Sequence, residues 1–152
     1  AHERLVVVDE TSRAADPEAP RTVRMPWSAH VAPQIRRTLV EDLAALGVSH
    51  ETIDEAEIVV AELVSNALRH ARPLSDGSLR VRWKTKAGVV EVEVSDGGGP
   101  STPRPAPPAL WSSSGRGLRI VRSLAHEWGV SEERHGRTVW ASLGGPSRRR
   151  TH

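Results

Sequence analysis

The stretch SHETIDEAEIVVAELVSNALRHARP, residues 49–73, contributes most to the predicted fold. Its apolar residues recur every three or four positions, the spacing of one face of an α-helix. Ser49 is a typical N-cap residue, and Pro73 ends the pattern. The apolar stripe consists of Ile53, Ala56, Val60, Leu63, Ala67 and Ala71. The segment therefore predicts a long amphipathic helix with one buried face.

The flanking segments predict strands and two more helices. Before the long helix lie an apolar run at residues 5–8, an alternating strand at 21–27 and a helix at 29–46. After it come a hairpin with strands at 79–83 and 90–94, a helix at 118–127 and closing strands at 128–133 and 138–143. This order predicts an α/β (α+β) two-layer sandwich, in which a mixed, mostly antiparallel sheet carries helices on one face.

Composition predicts one domain and excludes several classes of site. The chain has 152 residues and no Cys, which rules out disulfides, Cys-ligated zinc, iron–sulfur clusters and a thiol nucleophile. The net charge is only +2, so we expect no nucleic-acid partner. No apolar run approaches the length of a membrane helix and no signal peptide opens the chain, so we expect a cytoplasmic protein without a membrane partner.

Glycine and proline divide the chain unevenly. They total 23 residues, and ten of them lie between Gly97 and Gly117, so this stretch predicts little regular structure. Residues 1–20 are predicted as a flexible N-terminal arm, 21–143 as the folded domain and 144–152 as a basic tail. Because prolines stiffen the middle of the Gly/Pro-rich stretch, any closure of it would hinge at its two glycine clusters.

Three short motifs contain chemically informative residues. Glu62 and Asn66 lie one turn apart on the long helix, where a carboxylate can act as a base and an amide oxygen can bind Mg²⁺. Asp96 follows a strand and precedes Gly97-Gly98-Gly99, so it can accept a hydrogen bond from an amine of a flat ring. Each motif alone also fits an ordinary explanation, namely a solvated helix face or a flexible turn.

The third motif is Gly115-Arg116-Gly117-Leu118, at the start of a predicted helix. The free N–H groups of a helix N-terminus suit a phosphate group, although glycine there also simply lets the chain turn. No Gly-Lys-Ser/Thr occurs, which excludes a P-loop NTPase. Together the three motifs fit one nucleotide, with Mg²⁺ and phosphate at the first, adenine at the second and the phosphate tail at the third.

In this order the motifs resemble the N, G1 and G2 boxes of the Bergerat-fold ATPases, the GHKL group. The boxes read ELVSNALRHA at residues 62–71, DGG at 96–98 and GRGL at 115–118, and the resemblance covers about residues 21–143. The single-domain length is similar to that of the anti-sigma-factor serine kinases and their actinobacterial relatives. One departure is Pro100, where the G1 pattern has glycine.

The resemblance implies roles for individual residues, with ATP and Mg²⁺ as cofactors. Glu62 would be the general base and Asn66 the Mg²⁺ ligand, while Asp96 would bind the adenine amine and Gly98 would give the ring room. Phosphate would be held by Gly115, Arg116, Gly117 and Leu118, Thr138 would lie beside the adenine, and residues 97–115 would form the ATP lid. Arg69 and His70 could reach phosphate, but a packed or solvated role is as good an explanation.

Three functions compete at this point. The first is an ATP-dependent serine/threonine kinase that phosphorylates a STAS-domain antagonist and sequesters a sigma factor, and its relatives commonly form homodimers. The second is a non-catalytic ATP-binding module that binds a protein partner. The third is the catalytic domain of a sensor histidine kinase, which needs an upstream helix pair. Residues 1–20 leave no room for that pair, but the start at Ala1 rather than Met leaves a longer chain open. The intact Glu62 favours the first, because pure binding needs no base.

Overall fold

The computed structural model of the chain describes residues 5–8, 15–99 and 115–144. In these ranges the chain forms six strands and three α-helices, and a short 3-10 helix (Ala29–Val31) precedes the first of them. In chain order the elements are β1 (Val6–Val7), β2 (Arg21–Pro26), α1 (Ala32–Ala45), α2 (His50–His70), β3 (Ser78–Lys86), β4 (Val89–Asp96), α3 (Gly115–Leu124), β5 (Glu127–Glu133) and β6 (Gly136–Gly144).

The strands form one sheet in the order β1-β2-β3-β4-β6-β5. Every neighbouring pair is antiparallel, so the sheet as described lacks the parallel pairing that a mixed sheet would contain. The predicted apolar run near the N-terminus supplies the edge strand β1, whose Val6 lies opposite Arg24 of β2. The helices pack on the sheet, which confirms the predicted two-layer α/β architecture.

The core lies between α1, α2 and one face of the sheet. Alternate residues of β3 and β4 point into it, and the apolar stripe of α2 covers them, as the two periodicities predicted. Among the residues that the structure describes, the largest buried side chain is that of Trp83, whose indole N–H donates a hydrogen bond of 2.8 Å to Oδ2 of Asp42 on α1. This bond satisfies the only polar group of a buried indole and joins α1 to the sheet.

Local signals fix the ends of α2 and the turn between β3 and β4. The Ser49 hydroxyl accepts the backbone N–H of Thr52 at 3.2 Å, so the predicted N-cap is confirmed. Ala87 and Gly88 both have positive φ, 53° and 81°, which is the conformation of a type I′ hairpin turn. On the outer face of the hairpin, Arg82 pairs with Glu93 at 3.8 Å and Lys84 with Glu91 at 3.7 Å.

The third helix differs from its prediction at both ends. It was expected over residues 118–127, but it begins at Gly115 and ends at Leu124. The reason for the early end is the sheet: the His126 N–H donates to the Ser142 carbonyl oxygen at 3.0 Å, and from Glu127 onward the chain pairs with β6. Tertiary pairing thus overrides the helical pattern over these last residues.

Several predictions concern residues outside the described ranges. They include most of the predicted ATP lid, where residues 100–114 are not described, the basic tail beyond Gly144, and part of the N-terminal arm. The helices that are described are all too short or too polar to cross a membrane.

Candidate functional site

Asp96 ends β4 and is almost fully buried, with 2% of its surface exposed. Strand alternation places its side chain on the same face as Val94 and Val92, the face that α2 covers. Its Oδ1 atom accepts the backbone N–H of Gly98 at 2.7 Å, which fixes the orientation of the carboxyl group. A charged group in this apolar setting is costly, so its presence at the end of a core strand indicates a function.

Burial raises the pKa of the Asp96 carboxyl group above its ordinary value. The Arg137 guanidinium and the Gly98 N–H both oppose this rise, while the negative charge of Glu132 adds to it. Arg137 lies directly opposite Asp96 on β6, is itself 5% exposed, and its Nε is 3.6 Å from Oδ1 of Asp96. The carboxyl group thus faces a buried cation.

The glycine run after Asp96 is held against the end of α2. The Gly97 N–H donates to the Arg72 carbonyl at 2.7 Å, and the Arg72 N–H donates to the Gly98 carbonyl at 3.1 Å. A third bond of 3.3 Å joins the Arg72 guanidinium to the Gly99 carbonyl. A Cβ on Gly97 would overlap the Pro73 carbonyl, and Gly98 has a φ of +92°. Close backbone approach and positive φ, rather than flexibility, explain these glycines.

Glu62 and Asn66 lie on α2, the helix that packs against β4, β6 and α3. Asn66 is 5% exposed, whereas Glu62, one turn earlier, is partly exposed. A buried amide and a more accessible carboxylate on one helix face suit different tasks, since the first can hold a ligand in place and the second can exchange protons.

Arg69 and His70 end α2 in different environments. Arg69 is exposed, and its guanidinium donates to the Ser65 hydroxyl on the same helix at 3.0 Å. His70 is partly buried, and burial together with the positive charges of Arg69 and Arg137 lowers its pKa below the ordinary value. His70 therefore stays neutral near pH 7, and it belongs to the same electrostatic cluster as Asp96 and Arg137.

The structure does not bring Thr138 to this cluster. The Thr138 hydroxyl is 2.7 Å from the hydroxyl of Ser95, on the opposite face of the sheet from the Asp96 side chain. Because neighbours along a strand point to opposite faces, the residue on the Asp96 side is Arg137, which the motif comparison passes over. No local signal in the sequence marks Arg137, because its face is defined only once β6 is paired with β4.

The residues of the third motif form the first turn of α3, which packs against α2. The backbone of Gly115, Arg116, Gly117 and Leu118 is therefore helical, with the N-terminal end of α3 at Gly115. The first N–H groups of any α-helix have no partner within the helix.

Comparison with known proteins identifies the family. A family model described as histidine kinase-like ATPase domain matches residues 25–143. The chain belongs to this family. A serine-protein kinase RsbW from Staphylococcus aureus strain JH9 is 30% identical over 78 residues, 50% of this chain and 49% of that relative, and the protein from strain Newman gives the same values. The chain thus spans about half the length of the curated relatives it matches.

Among solved structures, the crystal structure of the RsbU and RsbW domains of Rv1364c from Mycobacterium tuberculosis contains a region with the fold of this histidine kinase-like ATPase domain. The TM-score is 0.63 at 23% identity, covering 82% of this chain and 32% of that one. At that identity the match supports the fold alone. It confirms the Bergerat architecture that the resemblance to the GHKL group implies.

The residues of this histidine kinase-like ATPase domain fit a metal ion that is bound together with a phosphate group. Magnesium commonly takes one or two protein ligands and completes its shell with water and phosphate oxygens. Asn66 offers a buried amide oxygen of the required kind. Within the part of the chain that the structure describes, no group of three or more His, Cys, Asp or Glu side chains could hold a metal ion by itself.

Proposed function

We propose that the chain is an ATP-binding serine/threonine protein kinase of the anti-sigma-factor type. It would transfer the γ-phosphate of ATP to a serine of a STAS-domain antagonist and regulate a sigma factor by switching between these partners. The family and the serine-protein kinases among its relatives support the proposal. A homodimer, expected from the same resemblance, stays a prediction.

The observation that carries the proposal is the burial of the Asp96 carboxyl group at the end of a core strand. Its Oδ1 is already engaged by the Gly98 N–H, and the neighbouring glycine backbone is hydrogen-bonded to Arg72, just after α2. A carboxylate in this position accepts a hydrogen bond from the amino group of adenine, while Gly98 leaves room for the ring. GTP carries a carbonyl oxygen at that position, which a carboxylate repels.

The other motif residues have roles that follow from their chemistry. Glu62 would orient the acceptor hydroxyl and take its proton, and the amide oxygen of Asn66 would hold Mg²⁺. When bound, Mg²⁺ supplies positive charge that neutralises the phosphate oxygens during transfer. The first turn of α3, from Gly115 to Leu118, would offer backbone N–H groups to the phosphates.

Calorimetric titration tests nucleotide binding directly. Wild-type protein should bind ATP and ADP more tightly than GTP, and Mg²⁺ should tighten ATP binding. Asp96→Asn should weaken ATP binding by about tenfold to a hundredfold, because a charged acceptor forms a stronger hydrogen bond than a neutral amide. Asp54→Asn, on the exposed surface of α2, is the matched control and should bind ATP as the wild type does.

Phosphotransfer from γ-labelled ATP to STAS-domain proteins tests the catalytic part of the proposal. Glu62→Ala should bind ATP normally and lose transfer by a factor of about 10²–10⁴, the range of general-base contributions. Glu57→Ala, earlier on α2, serves as the control. Retained transfer in the Glu62 variant would contradict the base assignment. If the wild type binds ATP but transfers phosphate in none of these assays, the result would favour a non-catalytic binding module.

A further inference from the structure

Two buried charges lie side by side in the core of this domain. Among the described residues that are buried, Asp96 and Arg137 are the only charged ones. Their side chains are 3% and 5% exposed, and the ion pair joins Nε of Arg137 to Oδ1 of Asp96 at 3.6 Å. Burying a guanidinium is costly, so the pair is poorly explained as a contribution to stability alone.

The position of Arg137 follows from the register of the sheet. It faces Asp96 across the β4–β6 pair, on the side where β6 otherwise presents Val139, Ala141 and Leu143 to the core. A Cβ on Gly99 would be 3.8 Å from both terminal nitrogens of Arg137, so the guanidinium also lies under the glycine run. It therefore borders the carboxyl group and the backbone where a base would enter.

Other charges around Asp96 are weaker candidates for this task. Glu132 on β5 is negative and disfavours the ionised carboxylate. His70 lies at the end of α2, and burial together with the positive charges of Arg69 and Arg137 lowers its pKa below the ordinary value. The Arg72 guanidinium, just after α2, is engaged with the Gly99 carbonyl, and Arg119 on α3 is exposed. Arg137 is the cation in contact with the carboxyl group.

We propose that Arg137 is a positioning residue of the nucleotide site, whose guanidinium keeps the buried Asp96 carboxyl group ionised and leaves its Oδ2 atom to accept the amino group of the base. In the described part of the chain, both contacts of the carboxylate, with Gly98 and with Arg137, fall on Oδ1. Oδ2 is thus the atom that serves a ligand. The expected effect of Arg137 on ATP binding rests on the proposed function, whereas its effect on the Asp96 carboxyl group does not.

The binding test compares ATP affinity across pH in the wild type and two variants. Arg137→Gln should bind ATP about tenfold more weakly than the wild type at pH 5.5 and nearly as tightly at pH 8. Without the Arg137 charge, the Asp96 carboxylate of the variant takes up its proton at a higher pH than that of the wild type. Arg137→Lys keeps the positive charge and should restore most of the acid-side affinity. Titration of ATP itself is common to all proteins and cancels in the ratio. Because Arg137 also lowers the pKa of His70, the comparison is repeated in proteins that carry His70→Gln, and the difference between wild-type and Arg137→Gln profiles should persist there.

Arg82→Gln, on the outer face of the sheet, is the control and should follow the wild-type pH profile. A purely structural role for Arg137 would weaken binding equally at all pH values. A uniform loss of that kind, or an unchanged affinity in Arg137→Gln, would overturn the proposal.

A second measurement needs no nucleotide. In ¹³C NMR titrations of the free protein, the midpoint of the Asp96 carboxyl carbon should lie at higher pH in Arg137→Gln than in the wild type. If Arg137→Gln fails to fold, the wild type still gives a test, because its Arg137 Nε–H resonance should shift with the Asp96 midpoint. The proposal would be overturned, whatever the binding data show, if the substitution left the Asp96 midpoint unchanged. It would also be overturned if the Arg137 Nε–H resonance did not shift as Asp96 titrates.

The two measurements separate the inference from the proposed function. If the NMR midpoint moves as expected but no protein binds any nucleotide, the proposed function fails and the effect of Arg137 on Asp96 stands. If ATP binds normally but the Asp96 midpoint is the same with and without Arg137, the inference about Arg137 fails and the proposed ATP binding stands.

Discussion

The three glycines of the loop after β4 have different backbone environments. Gly97 lies against the Pro73 carbonyl, Gly98 has a positive φ, and Gly99 has ordinary space around its Cα. Three consecutive glycines thus have three different requirements, although in the sequence they look alike. Only the first two are needed for the observed backbone path.

This difference predicts unequal effects of two adjacent substitutions. Gly97→Ala should destabilise the protein by about 1–3 kcal/mol and weaken ATP binding, because the new Cβ must push the α2 end away from the loop. Gly99→Ala places its Cβ at normal contact distance from Arg137 and should change stability by less than about 0.5 kcal/mol. Urea unfolding of both variants checks this, and equal effects would show that the run acts as a flexible linker.

The sequence predicted part of the site at this scale. Asp96 and Gly98 could be picked out because their residue types and position after a strand suggest a ring-binding turn. Arg137 could not, because a single arginine in a chain with 19 of them carries no signal until the strand register is known. The resemblance assigns Thr138 to the adenine, whereas alternation along β6 places its hydroxyl on the other face of the sheet, beside that of Ser95.

Among the elements, α2 combines structural and functional roles. Its apolar stripe forms much of the core, its polar face carries Glu62 and Asn66, and its C-terminal end holds the glycine run. Strong local signals defined it, so the sequence predicted it almost to the residue. The end of α3 was predicted less well, since a long-range bond to β6 decides where the helix stops.

Loss of the N-cap should be felt through the whole helix. Ser49→Ala removes the acceptor for the Thr52 N–H and should cost about 1 kcal/mol of unfolding free energy, which lowers Tm by roughly 4 °C. ATP affinity should be nearly unchanged, because the cap is at the far end of α2 from the glycine run. Ser75→Ala, in the exposed turn before β3, is the control for calorimetric melting. A Tm equal to that of the wild type would mean that the cap contributes nothing.

For the whole molecule, stability should depend on pH through His70. Its pKa is lowered in the folded state from the ordinary value of 6.5, so the unfolded chain binds more protons just below that pH. Stability is therefore retained above about pH 6.5 and lost as pH falls from there toward the lower folded-state pKa. Asp96, whose pKa is raised, acts in the opposite direction at more acid pH.

Urea unfolding at pH 7.5 and 5.5 measures this effect. The wild type should lose more stability on acidification than His70→Gln, while His135→Gln, in an exposed turn, should behave as the wild type does. Identical pH dependence in the wild type and His70→Gln would contradict the assignment.

The overall architecture could be predicted because element order and periodicity restrict the possible folds. Alternation in β3 and β4 and the stripe of α2 defined the two layers. Strand order across the sheet, with β6 between β4 and β5, depends on pairings between distant segments and was not specified by local pattern. The same is true of the approach of Arg72 to the glycine run.

The bonds between Arg72 and the glycines after β4 close a ring of chain that contains the entire β3–β4 hairpin. If β4 slipped by one residue against its neighbours, Asp96 would turn to the outer face and Gly97 would move away from Pro73. The site can therefore assemble only on a correctly paired sheet. A ligand that requires the Asp96 carboxylate binds only molecules with the correct strand pairing. Its binding would therefore raise the population of the correct strand register over slipped ones.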